Sequence, residues 1–554
     1  MINSRILQSI IKIFKACTLL ILKNINLKNI KKRIKIKKYR ELSEKIISEI
    51  NYTNHCNYNG NILIDAQWDN PNYWLRVGIF RKSLGLPNGK EIGLLGKYNK
   101  KKCKKTLLNL GINKFIDFSK ISINKKNIRK KTDLLINSTK KPEDILLWDL
   151  PEKVPGSLIY DGILKKQRLA CVDIKDPNFK LFTNEALLKI EYAKFILNKY
   201  KINLVIISHT FGIEYGILAW VALNRKINVI LPFGLFGVIR MAHIRKKNDL
   251  IKFYDSPSKE LIDNLSKKKS EQLASIGNKY IFNRLEGKSD DLAALYAYKE
   301  AKKSINKSEI CKMFGWNEKN KIIGFYASNW YDWPHQLGMC QFRDFLDWTK
   351  ITFKEATKNK NVNWIFKPHP AEEWFGDKIK LENILEEMPH VNNVKIIPSS
   401  WSNKYLFEII DGLITYHGTS GIECACYGKP VLLPDIGKYH KSGFSKVAKN
   451  KQDYIKLLSE NWWEKIDLKK TKKRAAIFSG LWFCCPKSQG KFILNDDALQ
   501  DDLYELIPNL LKNNRKEVIN EIEHLKDWFV SERMYSHTFK MMKANSFQLS
   551  NIEL

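Results

Sequence analysis

Asp411-Gly-Leu-Ile-Thr-Tyr-His-Gly-Thr-Ser-Gly-Ile-Glu-Cys-Ala-Cys-Tyr-Gly-Lys-Pro-Val-Leu-Leu-Pro434 is the stretch from which the fold can be read. Residues 412–416 form an apolar run of strand length, and His417-Gly418-Thr419-Ser420-Gly421 interrupts it. Ile422 to Tyr427 reads as a short helix closed by Gly428 and Pro430, and 430–434 is a second apolar run. Strand, small-residue turn, helix, strand is a parallel crossover unit. Its turn sets backbone N–H groups and a helix N-terminus beside two hydroxyls, a site suited to a phosphate or pyrophosphate. An ordinary capped helix, with Ser or Thr as cap and Glu423 in the first turn, has the same appearance.

Outward from this unit, apolar runs of strand length alternate with helical periods. In the second half the expected strands are 321–327, 362–366, 394–398, 412–416 and 430–434, with helices over 342–358, 378–388 and 403–410. In the first half the strands are 61–66, 91–96, 144–149, 202–209 and 228–232, with helices over 72–85, 100–110, 183–200 and 214–226. This alternation predicts doubly wound parallel sheets. The expectation is an α/β chain with two Rossmann-like domains facing a cleft. Its parts are a basic helical segment at 1–50, a first domain at 55–315, a second, nucleotide-binding domain at 318–500, and C-terminal helices at 501–554 that pack back through Trp528 and Phe529.

A length of 554 residues suits two large domains, and 44% hydrophobic with 12% aromatic residues are ample for two cores. The formal charge of +37 points to an anionic partner or to a lysine-rich composition, and no basic-aromatic nucleic-acid module accompanies it, so nucleic acid is set aside. The ten cysteines have neither C-x-x-C nor zinc spacing, which fits a reducing cytoplasm and no metal site. Residues 1–23 pattern as an amphipathic helix with a basic face, too short in apolar run to span a bilayer; it reads as a peripheral anchor on the anionic inner face of the membrane or as a helix packed on the protein itself.

Several residues at expected strand ends can carry chemistry. Lys367-Pro-His369-Pro follows strand 362–366, at the edge where open α/β sheets bind ligands. A donor at His369 can hold a nucleotide phosphate and stabilise a leaving group. Thr419 and Ser420 can bind phosphate oxygens, and Glu423 a ribose hydroxyl. Asp332 and His335, in the aromatic loop after strand 321–327, can bond a hydroxyl. Across the cleft, Asp65, Asp69, His209 and Glu214 are possible general bases.

These residues also carry a resemblance. Asp332-Trp-Pro-His335 with Gly338, Phe342-Arg-Asp-Phe-Leu-Asp-Trp348, Asn363-Trp-Ile-Phe-Lys-Pro-His-Pro370 and His417-Gly-Thr-Ser-Gly-Ile-Glu423 through Gly428-Lys-Pro430 resemble bacterial capsule polysaccharide biosynthesis proteins. Tyr160-Asp-Gly-Ile-Leu164 and Ser208-His-Thr-Phe-Gly-Ile-Glu-Tyr-Gly216 are similar to that group as well. These proteins are glycosyltransferases of the two-domain GT-B kind, including Kdo transferases. The resemblance implies a metal-independent transferase with no cofactor, taking a nucleotide-sugar donor and a glycan or lipid-linked acceptor. It implies donor-phosphate contacts at His369 and at Thr419/Ser420. A sugar-nucleotide epimerase, a glycerophosphotransferase-like enzyme and a non-catalytic export scaffold are the alternative readings.

Overall fold

The apolar runs at 61–66 and 321–326 become the first strands of two six-stranded sheets. In the first sheet β1 (Asn61–Ala66), β2 (Glu91–Leu95), β3 (Lys114–Asp117), β4 (Ile202–Ile206), β5 (Asn228–Leu231) and β6 (Ala242–Ile244) lie in the order β3-β2-β1-β4-β5-β6. All are parallel except β6, which runs antiparallel to β5. The second sheet holds β7 (Lys321–Tyr326), β8 (Val362–Lys367), β9 (Val394–Ile396), β10 (Gly412–Thr415), β11 (Val431–Leu433) and β12 (Lys446–Val447) in the order β12-β11-β10-β7-β8-β9, parallel throughout. Counted from its own first strand, each sheet has the same order and so the same switch point, between β1 and β4 and between β7 and β10. The crevice outside the strand ends at such a point is where α/β sheets take ligands. The computed structural model describes residues 27–538, apart from 88, 98, 234–239, 252–255, 289–297, 299–303, 371, 373–377 and 486–499. The amphipathic segment 1–23 and the end of the chain after 538 lie outside the described residues.

The strands are near-continuous apolar runs because helices cover both faces of each sheet. Ile62, Leu63 and Ile64 of β1 and Trp364, Ile365 and Phe366 of β8 are fully buried. The short hydrophobic run at 144–149 is not a strand. Pro142 starts a 3-10 turn over Pro142–Leu147, and Asp144 accepts bonds from the backbone N–H groups of Lys140 and Lys141, which leaves Leu147 85% exposed. The third strand is instead the short, lysine-flanked β3. Residues 120–141, without clear pattern in the sequence, hold the helix Lys125–Ser138, which buries Ile128, Thr132 and Leu135 at helical spacing.

The chain crosses to the second domain earlier than 315. Lys259 N–H donates to the Lys441 carbonyl (2.8 Å), and Arg474 pairs with Asp263 (2.6 Å). The helix Lys267–Leu285 then lies across the helix Leu468–Ser479 at close range. Gly277 makes the approach feasible: a Cβ there would stand 2.0 Å from the Ala476 carbonyl oxygen. Gly480 faces the Leu273 carbonyl in the same way, at 2.4 Å.

The last helices return to the first domain. Trp528 of the helix Arg515–Val530 is fully buried and meets Phe80 at 6.0 Å between ring centroids. The segment after it pairs with β6: His243 N–H donates to the Met534 carbonyl and Ser536 N–H to the Met241 carbonyl. The helix Leu27–Ser48 packs on the same domain, burying Ile46 and Ile47. No described helix is long and apolar enough to cross a membrane.

Gly277→Ala forces a methyl group into a neighbouring backbone. It is expected to destabilise the second domain by about 1–3 kcal/mol, read as a lowered midpoint in urea or heat. An unchanged midpoint would show that the two helices do not cross this closely.

Candidate functional site

The loops at the carboxyl ends of β7, β8 and β10 enclose a cavity of about 570 Å³. Ser328, Asn329 and Asp332 come from the loop after β7, and Pro368, His369 and Pro370 from the loop after β8. His417, Gly418, Thr419 and Ser420 come from the turn after β10, and Lys438 from beyond β11. Most of the second-domain residues singled out in the sequence thus meet at one switch point. The helix there is Thr419–Cys426, three residues longer at its start than the expected 422–427. Its N-cap is Gly418, with no side-chain cap bond, so neither Ser nor Thr caps it. A helix start without a side-chain cap leaves first-turn N–H groups for an anion.

Burial sets the charge states around the cavity. His417 is 8% exposed, and neither ring nitrogen has a hydrogen-bond partner among the described residues. Burial, with Lys438 nearby, pushes its imidazole down to about 3, so it is neutral. Burial also lowers His369, and Asp332 offsets this in part. Lys367 is pushed down to about 7 by burial, with Glu423 pulling the other way. Lys367 lines the cavity, but its ammonium is already engaged by the protein. Its Nζ donates to the Trp401 carbonyl (2.6 Å) and to Asn403 Oδ1.

Glu423 also takes a different role. It is fully buried, with one carboxylate oxygen paired to Arg284 Nε at 2.7 Å and the other accepting the Tyr298 hydroxyl. Asn403 Nδ2 donates to the same hydroxyl at 3.0 Å. Glu423 lines the cavity expected to take a ribose, and its carboxylate ties its helix to the helix Lys267–Leu285. Removing one partner of such a buried pair costs about 3–5 kcal/mol.

His335 does not line the cavity. It reaches the first domain, where Asp161 sits fully buried on the helix Gly156–Gln167. Asp161 accepts His335 Nδ1–H (2.6 Å), His335 N–H (3.0 Å), Gln336 N–H (3.2 Å) and Gln336 Nε2–H (3.3 Å). The neighbouring Tyr160 hydroxyl donates to Asp344, which also takes Arg343 Nε–H at 2.9 Å. Gln336 Oε1 in turn accepts Gly212 N–H at 2.8 Å. Gly212 has φ +72°, and a Cβ there would stand 2.6 Å from the Trp333 ring, so glycine is required twice over. Asp161 and Gln336 carried no separate signal in the sequence, because their partners lie more than 120 residues away.

On the first-domain side, Asp65 and His209 are brought together at the β1/β4 switch point. Ser208 stands between them, its hydroxyl 2.6 Å from Asp65 Oδ2 and 3.0 Å from His209 Nδ1. Asp65 is fully buried, and its carboxyl is raised mainly by burial. It therefore does not face the cleft as a base of its own. Asp69 is held by Arg40 at 2.7 Å, and Glu214, on the turn Gly212–Gly216, is an exposed partner of Lys166 at 3.6 Å. Neither joins Asp65 and His209.

No family model and no curated protein matches the chain. Solved structures similar to it include the UDP-GlcNAc 2-epimerase of Neisseria meningitidis bound to UDP-GlcNAc, at 12% identity over 82% of this chain and 100% of that one, with a TM-score of 0.23. The beta Kdo 2,4 transferase KpsC of Thermosulfurimonas dismutans is 14% identical over 55% of this chain and 87% of its own, with a TM-score of 0.32. HepE of Anabaena in complex with UDP-glucose is 12% identical over 83% and 98%, with a TM-score of 0.24.

The contact between His335 and Asp161 makes the closed arrangement depend on pH. Burial presses the His335 imidazolium down, but Asp161, with Asp344 and Asp435 behind it, leaves its value raised above the ordinary 6.5. The stabilisation is therefore fully present below about 6.5 and disappears as pH climbs through the raised folded value. The difference in thermal midpoint between the wild type and His335→Gln is expected to be larger at pH 6 than at pH 9. A constant difference across that range would refute the ion-pair account.

Proposed function

We propose that the chain is a glycosyltransferase of surface-polysaccharide synthesis, moving a sugar from a nucleotide donor to a glycan or lipid-linked hydroxyl. One observation carries the reading: His369, the uncapped helix start at Thr419 and the unpartnered, buried His417 converge on one cavity at the second sheet's switch point. The cavity suits the diphosphate or monophosphate of a sugar nucleotide. Backbone N–H groups and the helix dipole meet the phosphate oxygens. Thr419 and Ser420 add hydroxyl donors, and His369 is the donor for the departing phosphate. These contacts offset leaving-group charge through the chain's own groups. The first domain supplies the acceptor side, across the contact made by Asp161, His335 and Gln336. An epimerase on this architecture would consume a nucleotide sugar with no acceptor present, which separates the two readings.

His417 and His369, both lowered by burial, imply a further property. An arriving phosphate favours their charged forms, so binding takes up protons and tightens as pH falls. Attachment to an anionic inner-membrane surface belongs to the same proposal. Lys32, Arg33, Lys37 and Lys38 are exposed on the helix Leu27–Ser48, with Ile34 63% exposed among them. Lys37→Glu with Lys38→Glu should reduce cosedimentation with phosphatidylserine vesicles; undiminished cosedimentation removes this part of the proposal.

UDP, CMP, GDP and CDP tested by thermal shift should include at least one that stabilises the protein. His369→Ala should weaken that nucleotide by about tenfold to a hundredfold, the worth of a charge-assisted hydrogen bond, while keeping a cooperative melt. Failure of all four nucleotides to shift the midpoint would overturn the reading.

A further inference from the structure

Ser208 links two groups that the sequence offered as rival bases. It follows β4, one residue past Ile207, and is 2% exposed. Its hydroxyl lies 2.6 Å from Asp65 Oδ2 and 3.0 Å from His209 Nδ1. The other bonds to the Asp65 carboxylate are N–H donors: Gln67 N–H and Nε2–H at 3.1 Å each, and Ser208 N–H at 3.3 Å. Four donors converge on this carboxyl group, the arrangement an ionised carboxylate needs; with Asp65 ionised it accepts only, and the single hydroxyl proton of Ser208 points to it. What Ser208 then offers His209 is a lone pair. His209 Nδ1 must carry its proton toward it, and Nε2 is left with its lone pair free of a proton.

We propose that Asp65, Ser208 and His209 form a hydrogen-bonded relay that fixes the Nδ1–H tautomer of His209 and presents its Nε2 lone pair to the hydroxyl of an acceptor sugar. This rests on the glycosyltransferase reading for the identity of the acceptor; the relay itself does not. Burial holds His209 down at about 4, so the imidazole enters the reaction neutral.

The surroundings suit a carbohydrate. The half-buried rings of Trp68 and Tyr215 flank the imidazole at 4.6 and 5.1 Å between centroids. Aromatic faces of this kind pack against the apolar CH face of a pyranose and leave its hydroxyls to polar groups. The position also fits the donor. Three residues after His209, Gly212 bonds Gln336, which belongs to the same loop as Asp332 and Leu337 of the donor cavity.

In the transfer, the acceptor oxygen bonds to the anomeric carbon of the donor as the bond from that carbon to the phosphate oxygen breaks. The breaking bond's electron pair leaves on the nucleotide phosphate. The acceptor's hydroxyl proton, made acidic as its oxygen gains that bond, passes to His209 Nε2. The imidazolium so formed keeps Nδ1–H on Ser208, and the Asp65 carboxylate beyond compensates its charge; the proton returns to solvent when product leaves. His209 is thus the catalytic residue, and Ser208 and Asp65 are positioning residues.

Histidine-labelled full-length protein reads the tautomer directly by carbon and nitrogen NMR, with His209→Gln assigning the signal. The wild type should show Nδ1–H. Ser208→Ala should move the signal toward the Nε2–H form that free imidazole prefers, and Ser208→Thr should restore the wild-type signature. An Nε2–H tautomer in the wild type, or no change in Ser208→Ala, overturns the relay. With UDP-, CMP-, GDP- and CDP-linked sugars and extracted surface glycan as acceptor, His209→Gln should lose about a hundredfold or more in kcat. Ser208→Ala should lose about tenfold or more, with KM for the sugar nucleotide unchanged and the thermal shift with free nucleotide retained. Full transfer by His209→Gln overturns the base assignment. A wild type that consumes none of these donors removes the acceptor along with the function it rests on, while the tautomer signature still decides the relay.

Discussion

The carboxylate of Asp161 is the point on which the arrangement of the two domains turns. It is fully buried between them and takes four hydrogen bonds from His335 and Gln336 alone. A buried charge without such donors would cost several kcal/mol, so the second domain's loop must sit where it does while the domains are closed. That loop runs from Ser328 to Asp344 and carries the wall of the cavity on one side and the first-domain contact on the other. Trp333, with φ +52°, lies against Gly212 at the centre of the contact, and Lys165 stands 4.7 Å over the ring of Tyr331. A shift in either domain is therefore felt at the wall of the cavity.

Electrostatics of the cavity follow from burial more than from residue count. The chain carries a formal charge of +37, yet burial lowers the basic groups lining the cavity, His417, His369 and Lys367, from their ordinary values. An attractive but weakly charged cavity does not trap anions indiscriminately. Affinity must come from directed donors, which favours a ligand whose oxygens match the turn at 417–420.

The sequence made the second sheet and its turn legible because their signals are local. A strand, a turn of small residues and a helix within 24 residues identify themselves, and His369 sits directly on a strand end. Partners distant in the chain stayed hidden. Lys367 finds Trp401 and Asn403, Glu423 finds Arg284, and His335 finds Asp161 across as many as 174 residues. In each case a polar residue singled out in the sequence turns out to hold a protein partner far along the chain. The apolar run at 144–149 misled for the opposite reason, since Pro142 and the cap by Asp144 outweigh strand propensity over so few residues. Ser208 gave one usable signal, a hydroxyl placed where an apolar strand ends, beside a histidine.

The return of the C-terminal helices to the first domain has a consequence for synthesis. The second domain, from about Ser256 to Cys485, is one continuous length of chain, but the first is assembled from two pieces. Its core lacks Trp528, Leu525 and Ile522, and its strand β6 lacks the neighbour on its outer side, until the whole second domain has been made. The first of the two domains is therefore begun before the second and finished after it. Meanwhile the uncovered edge of β6 and the apolar groove that awaits Trp528 are open to chaperones or to another nascent chain. A nonsense codon shortly before 528 would spare the second domain entirely and still leave the first without its finished core.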